Sequence, residues 1–215
     1  MATIAGVDRY RRGWVMVVLD PLAVGVAPRL SGFLDPDAEC IGVDMPIGLR
    51  AEGLRECDVL ARRCVGPRWS SVFMTPPREV LRADSYAAAN ELAPRLMGAK
   101  ISQQAWALRH TIFEVEQLDD PRVIEVHPEV SFATMAGGHL AHAKSSWNGQ
   151  MLRRRILAEQ GIELPDELAG EAGRVPVDDV LDAAAVAWSA ARYARGAAGS
   201  LPQGARRGQR EVIWF

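Results

Sequence analysis

The sequence predicts an α/β chain, and three observations predict it. Short apolar, β-branched runs broken by turn residues fill the first fifty positions, helical spacing takes over from Leu54, and an alanine-rich helix near the end follows one isolated strand. Thr3 to Val7 and Gly13 to Leu19 read as the two strands of a hairpin, the second stopped by Asp20-Pro21. Ser31 to Phe33 is a candidate third strand. Cys40 to Val43 is a buried strand that ends at Asp44-Met45-Pro46, where proline cannot continue a ladder.

Beyond Leu54 the helical texture is interrupted from Val65 to Arg78 by a loop containing Gly66-Pro67 and Pro76-Pro77, long enough to suspect function. Ser85 to Leu92 and Ser102 to Leu118 have helical spacing, and Ala105, Trp106, Leu108, Ile112, Phe113 and Val115 form a core-facing stripe on the second. Arg122 to Val126 is a strand. A helix from near Gly149 to Gln160 stops at Gly161, and the last helix runs from Asp178 to about Arg195, closed by Gly196. The apolar end, Glu211 to Phe215, either docks as a strand or frays.

A chain of 215 residues with 48% hydrophobic and 24% charged residues fits one globular domain with an ordinary core. A net charge of -2 argues against non-specific coating of nucleic acid, which depends on many Lys and Arg side chains neutralising phosphates, so any such contact is local. Cys40, Cys57 and Cys64 have neither C-x-x-C spacing nor an even count, and read as reduced thiols. No charged leader or apolar run of about 18 residues appears, so the expectation is a cytoplasmic chain with no membrane partner.

The chemistry lies in the acids. Gly-Val-Asp occurs at 6–8 and again at 42–44, each time closing a strand, and alternation puts each glycine on the face of its aspartate. A glycine inside a strand suggests close approach of a ligand; an aspartate capping the next turn is the plainer alternative. Glu125 shares a strand face with Val123 and His127, and His127 is either a helper in proton transfer or a structural histidine. Glu129, after Pro128, belongs to a first helical turn and needs no catalytic role. Asp178 reads as the N-cap of the last helix, whereas Asp179 and Asp182, three apart, share one helix face, with three alanines after Asp182 that let the helix approach a sheet. Carboxylates gathered at one place repel unless cations neutralise them, and an all-oxygen set selects Mg²⁺ or Mn²⁺. Two such ions roughly 3.5–4 Å apart suit in-line displacement at phosphorus.

At these residues the chain resembles a known family. Gly-Val-Asp before a hairpin, Val-Asp-Met-Pro-Ile-Gly-Leu at 43–49, Ser-Ser-Val-Phe at 70–73, Glu-Val-His-Pro-Glu at 125–129 and Asp-Asp-Val-Leu-Asp-Ala at 178–183 are similar to the predicted ribonuclease H-like nucleases grouped as domain of unknown function number 429. The resemblance spans about residues 3 to 195, which makes 196–215 a tail. It implies an α/β ribonuclease H-like three-layer fold with a mixed five-stranded sheet flanked by helices, as in Holliday junction resolvases. It also implies divalent-metal-dependent cleavage of phosphodiester bonds in nucleic acid or another phosphodiester. The acid roles map onto Asp8, Asp44, Asp179 and Asp182, with Glu125 as a further catalytic candidate and Asp8, Asp44 and Asp182 as metal ligands. Where resolvase-like enzymes often carry glutamate on the fourth strand, Asp44 has the shorter reach.

Arg68, Ser70 and Ser71 in the Pro-rich loop, Lys100 at a helix start, and Lys144 are candidates for holding substrate phosphate. Arg153-Arg154-Arg155 reads as the wet face of a helix. His139 and His142 have a helical metal spacing with no companion motif, and Trp69 beside Arg68 is a candidate stacking platform. Two rival readings remain. An actin- or sugar-kinase-like phosphotransferase would carry glycine where Arg9-Tyr10-Arg11-Arg12 stand, and a non-catalytic binding scaffold with a residual acidic pocket would act without metal.

Overall fold

The computed structural model describes residues 3–215. Five strands form the central sheet: β1 (Thr3–Tyr10), β2 (Gly13–Leu19), β3 (Leu22–Ala27), β4 (Ala38–Val43) and β5 (Val123–Glu125), in the order β3-β2-β1-β4-β5. The pairs β1/β2 and β2/β3 are antiparallel, while β1/β4 and β4/β5 are parallel, so the sheet is mixed. The expected hairpin is present and gains a third strand directly after Asp20-Pro21. That strand is β3, not Ser31 to Phe33. Leu30–Phe33 is instead a 3-10 turn that buries Leu30 and Phe33, and the Glu114 carboxylate accepts from the Leu30 N–H at 2.7 Å. The run Leu22–Ala27 is short, split by Gly25 and exposed at its start, so its strand character comes from pairing with β2.

Helices follow in chain order: α1 (Glu56–Cys64), α2 (Arg78–Arg82), α3 (Tyr86–Met97), α4 (Gln103–Ala107), α5 (Arg109–Leu118), α6 (Pro128–Met135), α7 (Trp147–Glu159) and α8 (Val177–Ala194). The helix expected from Ser102 to Leu118 divides at Leu108 into α4 and α5. Ser102 caps the first half by accepting from the Ala105 N–H, and the expected stripe buries Ala105, Ile112 and Val115. Gly161 and Gly196 adopt positive φ just beyond α7 and α8, as helix stops do. The tail docks: β6 (Ser200–Leu201) pairs with β7 (Ile213–Trp214), and Trp214 bridges to Val126 beside β5.

Side-chain alternation along β1 sends Val7 into a core with Trp14, Ile41, Leu81, Ile112 and Val115 on one face. Gly6 points the other way, at the backbone of α8. There Val15, Val17, Phe132, Leu157 and Leu181 form the second core, with Ala183, Ala184 and Ala185 of α8 completely buried. Cys40, Cys57 and Cys64 are free, the first two buried. Among the described residues, no helix is long and apolar enough to cross a membrane.

Candidate metal centre

Parallel pairing sets the register of the acids. Gly6 stands opposite Gly42 and Val7 opposite Val43, and the Asp44 N–H donates to the Val7 carbonyl at 3.0 Å, so Asp8, inside β1, and Asp44, just past the end of β4, stand side by side. The two glycines have a different reason from the expected one. A Cβ on Gly6 would lie 2.0 Å from the Ala187 nitrogen and 2.2 Å from the Ala183 oxygen, and one on Gly42 would lie 2.7 Å from Val186 Cγ1. The group approaching these strands is the backbone of α8, not a ligand. Because α8 lies that close at Ala183 and Ala187, the turn before them carries Asp179 and Asp182 to the acids of β1 and β4.

Asp182 is 1% exposed. Its Oδ2 accepts from Lys144 Nζ at 2.5 Å, while its Oδ1 is buried with no hydrogen-bond partner. Asp8, also buried, accepts from the Arg9 N–H at 2.6 Å. Burial and the neighbouring Asp44 and Asp182 charges push Asp8 well above the usual carboxylate range. Burial and Asp182 push Asp44 to about 8, and burial with Asp178 pushes Asp179 to about 6. Burial also raises Asp182, against the lowering pull of Lys144. Burial alone would depress Lys144, but Asp182, Asp8 and Asp44 outweigh it and hold its ammonium above the ordinary lysine range. Asp8, Asp44, Asp179 and Lys144 line one cavity of about 200 Å³, joined by Ser71, Glu125 and His127.

Lys144 reaches this place because its loop is clamped. Arg153, completely buried, donates to Glu129 at 2.5 Å and to the His142 carbonyl at 3.2 Å, and Gly149 leaves room for the Ala143 carbonyl, 1.7 Å from where a Cβ would stand. The expectation that Arg153 lies on the wet face of its helix is therefore corrected: an arginine at the helix–loop junction carries the internal ion pair, and Arg154 and Arg155 alone keep the outward side. Glu129 does sit in a first helical turn, as its position after Pro128 suggests, but it is buried as the partner of Arg153.

Other expected residues are redistributed. Asp178 is not the N-cap; α8 begins at Val177 after Pro176, which puts Asp178 and Asp179 together in the first turn. Glu125 pairs with Val43 across β4/β5, so its side chain leaves the opposite face of the sheet from Asp8 and Asp44 and reaches the same cavity from its other side. Its carboxylate accepts from the Ile47 N–H at 2.7 Å and from Arg55. Burial raises it to about 7 against the pull of Arg55. Arg55 also meets Asp58 at 3.5 Å and Thr75 Oγ1 at 3.1 Å. Ligand atoms of Cys57, Asp58 and Glu125 lie within 4.8 Å of one another, a spacing that could hold a metal, but the Arg55 guanidinium already supplies the cation there. Arg55 and Asp58 carry little signal in the sequence beyond their i,i+3 spacing at a helix start.

Of the phosphate candidates, Ser71 lines the acid cavity, whereas Arg68 and Ser70 stand on the 3-10 turn Gly66–Ser71 outside its lining. Lys100 lines a different depression. His139 and His142 are on an irregular segment rather than a helix, with the His139 ring packed at Gly66. His127, at the start of α6, has an unpartnered Nδ1, and burial pushes it down to about 4, so it is neutral near pH 7. The family model described as a protein of unknown function, DUF429, matches residues 6–207. No curated protein and no solved structure matches the chain.

Proposed function

We propose that this chain, which belongs to the DUF429 family, is a divalent-metal-dependent phosphodiesterase acting on nucleic acid, built on a ribonuclease H-like fold. The observation that carries the reading is the meeting of Asp8, Asp44 and Asp179 at one cavity, with Lys144 reaching from its wall to the buried Asp182 beside it and one Asp182 oxygen without a partner. An orphaned buried carboxylate oxygen is costly, and raised carboxyls beside it mark a place that lacks positive charge. The donor set fits a hard cation: Asp8, Asp44 and Asp182 would hold Mg²⁺ or Mn²⁺, with Asp179 at the cavity wall. Such an ion, when bound, supplies a Lewis acid that activates water and offsets phosphate charge. Lys144 presents donors to phosphate oxygens at the cavity wall, whereas the Ser71 hydroxyl there donates to the Arg68 carbonyl at 2.8 Å. His127 lines the same cavity, and burial that pushes it down to about 4 leaves it neutral and a weak proton acceptor near pH 7.

The test compares three aspartates of α8 by Mn²⁺ titration calorimetry and cleavage of a labelled oligonucleotide. Asp182→Asn is expected to abolish metal-dependent cleavage and to weaken Mn²⁺ binding, Asp179→Asn to reduce both partially, and Asp178→Asn, which does not line the cavity, to leave both intact. Full cleavage in excess chelator, or an active Asp182→Asn, would overturn the reading. A chain that binds oligonucleotide with no metal-dependent turnover would be the non-catalytic scaffold instead.

A further inference from the structure

Lys100, separated from the acid cavity, lies in a groove of about 560 Å³ whose positive charges are Lys100, Arg62 and Arg63. Its floor is apolar, with Leu54, Met74, Met97 and Ile101, and no carboxylate lines it among the described residues. Phe73 belongs to both linings, so the groove and the acid cavity are neighbours across one side chain. The segment 71–74 forms the partition. Ser71, Val72 and Phe73 face the cavity, while Phe73 and Met74 face the groove. Just before it, outside both linings, Trp69 is 56% exposed with the Arg62 guanidinium 5.4 Å from its ring centroid.

Resting on the phosphodiesterase reading of the acid cavity, we propose that the groove across Phe73 takes the unpaired nucleotides flanking the scissile phosphate, so that the substrate is single-stranded nucleic acid. Cations along a groove suit a phosphate backbone, and an apolar floor near the exposed Trp69 ring suits base faces. A duplex would leave that floor without partners, because its base faces are stacked on one another and only phosphates and base edges are presented. Trp69, with the Arg62 guanidinium over its ring, offers a stacking surface two residues from Ser71 at the cavity wall. Lys100 and Arg63, both exposed, meet phosphates on the far side.

The experiment is fluorescence anisotropy with a labelled oligothymidylate of about 12 nucleotides and a blunt duplex of the same length, with Ca²⁺ replacing Mg²⁺ so that binding is read apart from turnover. The single strand is expected to bind at least about tenfold more tightly than the duplex. The Arg63→Ala/Lys100→Ala pair is expected to weaken it about tenfold and to flatten the slope of log K against log salt by about 1.4, from roughly 0.7 per phosphate contact. Trp69→Ala weakens binding with the slope unchanged. Melting curves of both variants stay at that of the parent chain, which separates lost contacts from lost fold. Equal affinity for the duplex, or a charge variant with unchanged affinity and slope, would overturn the groove. Cleavage in Mn²⁺ with no strand preference overturns the groove alone, whereas the expected binding pattern in a chain that cleaves nothing overturns the reaction alone.

Discussion

Replacing Lys144 by methionine removes the one cation paired with Asp182 and leaves the acids of β1, β4 and α8 facing each other. Breaking a fully buried ion pair by deleting one partner costs about 3–5 kcal/mol, and an exposed pair is worth about 0–1 kcal/mol. Lys144 stands between these limits, its side chain 40% exposed while Asp182 is 1% exposed, so a loss of about 2 kcal/mol is expected. For a chain of this size that lowers Tm by about 4–8 °C. The loss is expected to shrink on acidification from pH 8 to 5, as the crowded carboxyls take up protons. It is also expected to shrink in Mn²⁺, because an ion at one hundred times its Kd adds about 2.7 kcal/mol and binds more tightly to acids that have lost their ammonium partner than to those that keep it. Differential scanning fluorimetry of the parent, Lys144→Met, Asp182→Asn and the double variant, each with chelator and with Mn²⁺, reads all of this. Once Asp182 is neutral, Lys144→Met should cost far less than it does alone, since the pair is the coupled unit. A Lys144→Met chain that melts within a degree of the parent at pH 8 and gains no more from Mn²⁺ would refute the reasoning.

Two other outcomes follow from the same geometry. In chelator, the parent chain should lose stability as pH rises from 5 to 8: Asp8, Asp44 and Asp182 have folded values raised above the unfolded ones, so the fold binds more protons and its advantage disappears as pH passes about 8 for Asp44. Because metal ligands must be deprotonated, saturating Mn²⁺ should flatten or reverse that slope, and equal slopes in both conditions would count against a metal at these acids. Gly6→Ala should destabilise by about 3 kcal/mol or more, as its Cβ would sit 2.0 Å from the Ala187 nitrogen and α8 must retreat. It should weaken Mn²⁺ binding as well, since Asp182 retreats with the helix; a normally stable Gly6→Ala would show that the close approach is not needed.

Much of this architecture is legible in the chain alone, because local pattern determines it. The hairpin at Thr3 to Leu19, the strand before Asp44, the alanine-rich helix and its glycine stop all follow from periodicity and turn chemistry over a few residues. The repeated Gly-Val-Asp and the three-residue spacing of Asp179 and Asp182 already single out the acids that line one cavity or approach it. A mixed α/β order with a family-wide signature was readable too, and the DUF429 match over residues 6–207 agrees with it.

What depends on distant partners could not be read. The strand at Leu22–Ala27 exists by pairing with β2, and the break at Leu108 lies inside a continuous helical pattern. The glycines of both Gly-Val-Asp repeats make room for a helix nearly 180 residues away in sequence from the first of them. Arg153 is indistinguishable in sequence from Arg154 and Arg155, yet it alone is buried, because only its position on α7 faces Glu129 and the loop bearing Lys144. Lys144 and Lys100 look alike as phosphate candidates, and packing sends one into the acid cluster as its counter-ion and the other to the groove beyond Phe73. Periodicity specifies which face of an element a residue occupies; which charge that face meets is decided only when the elements pack together.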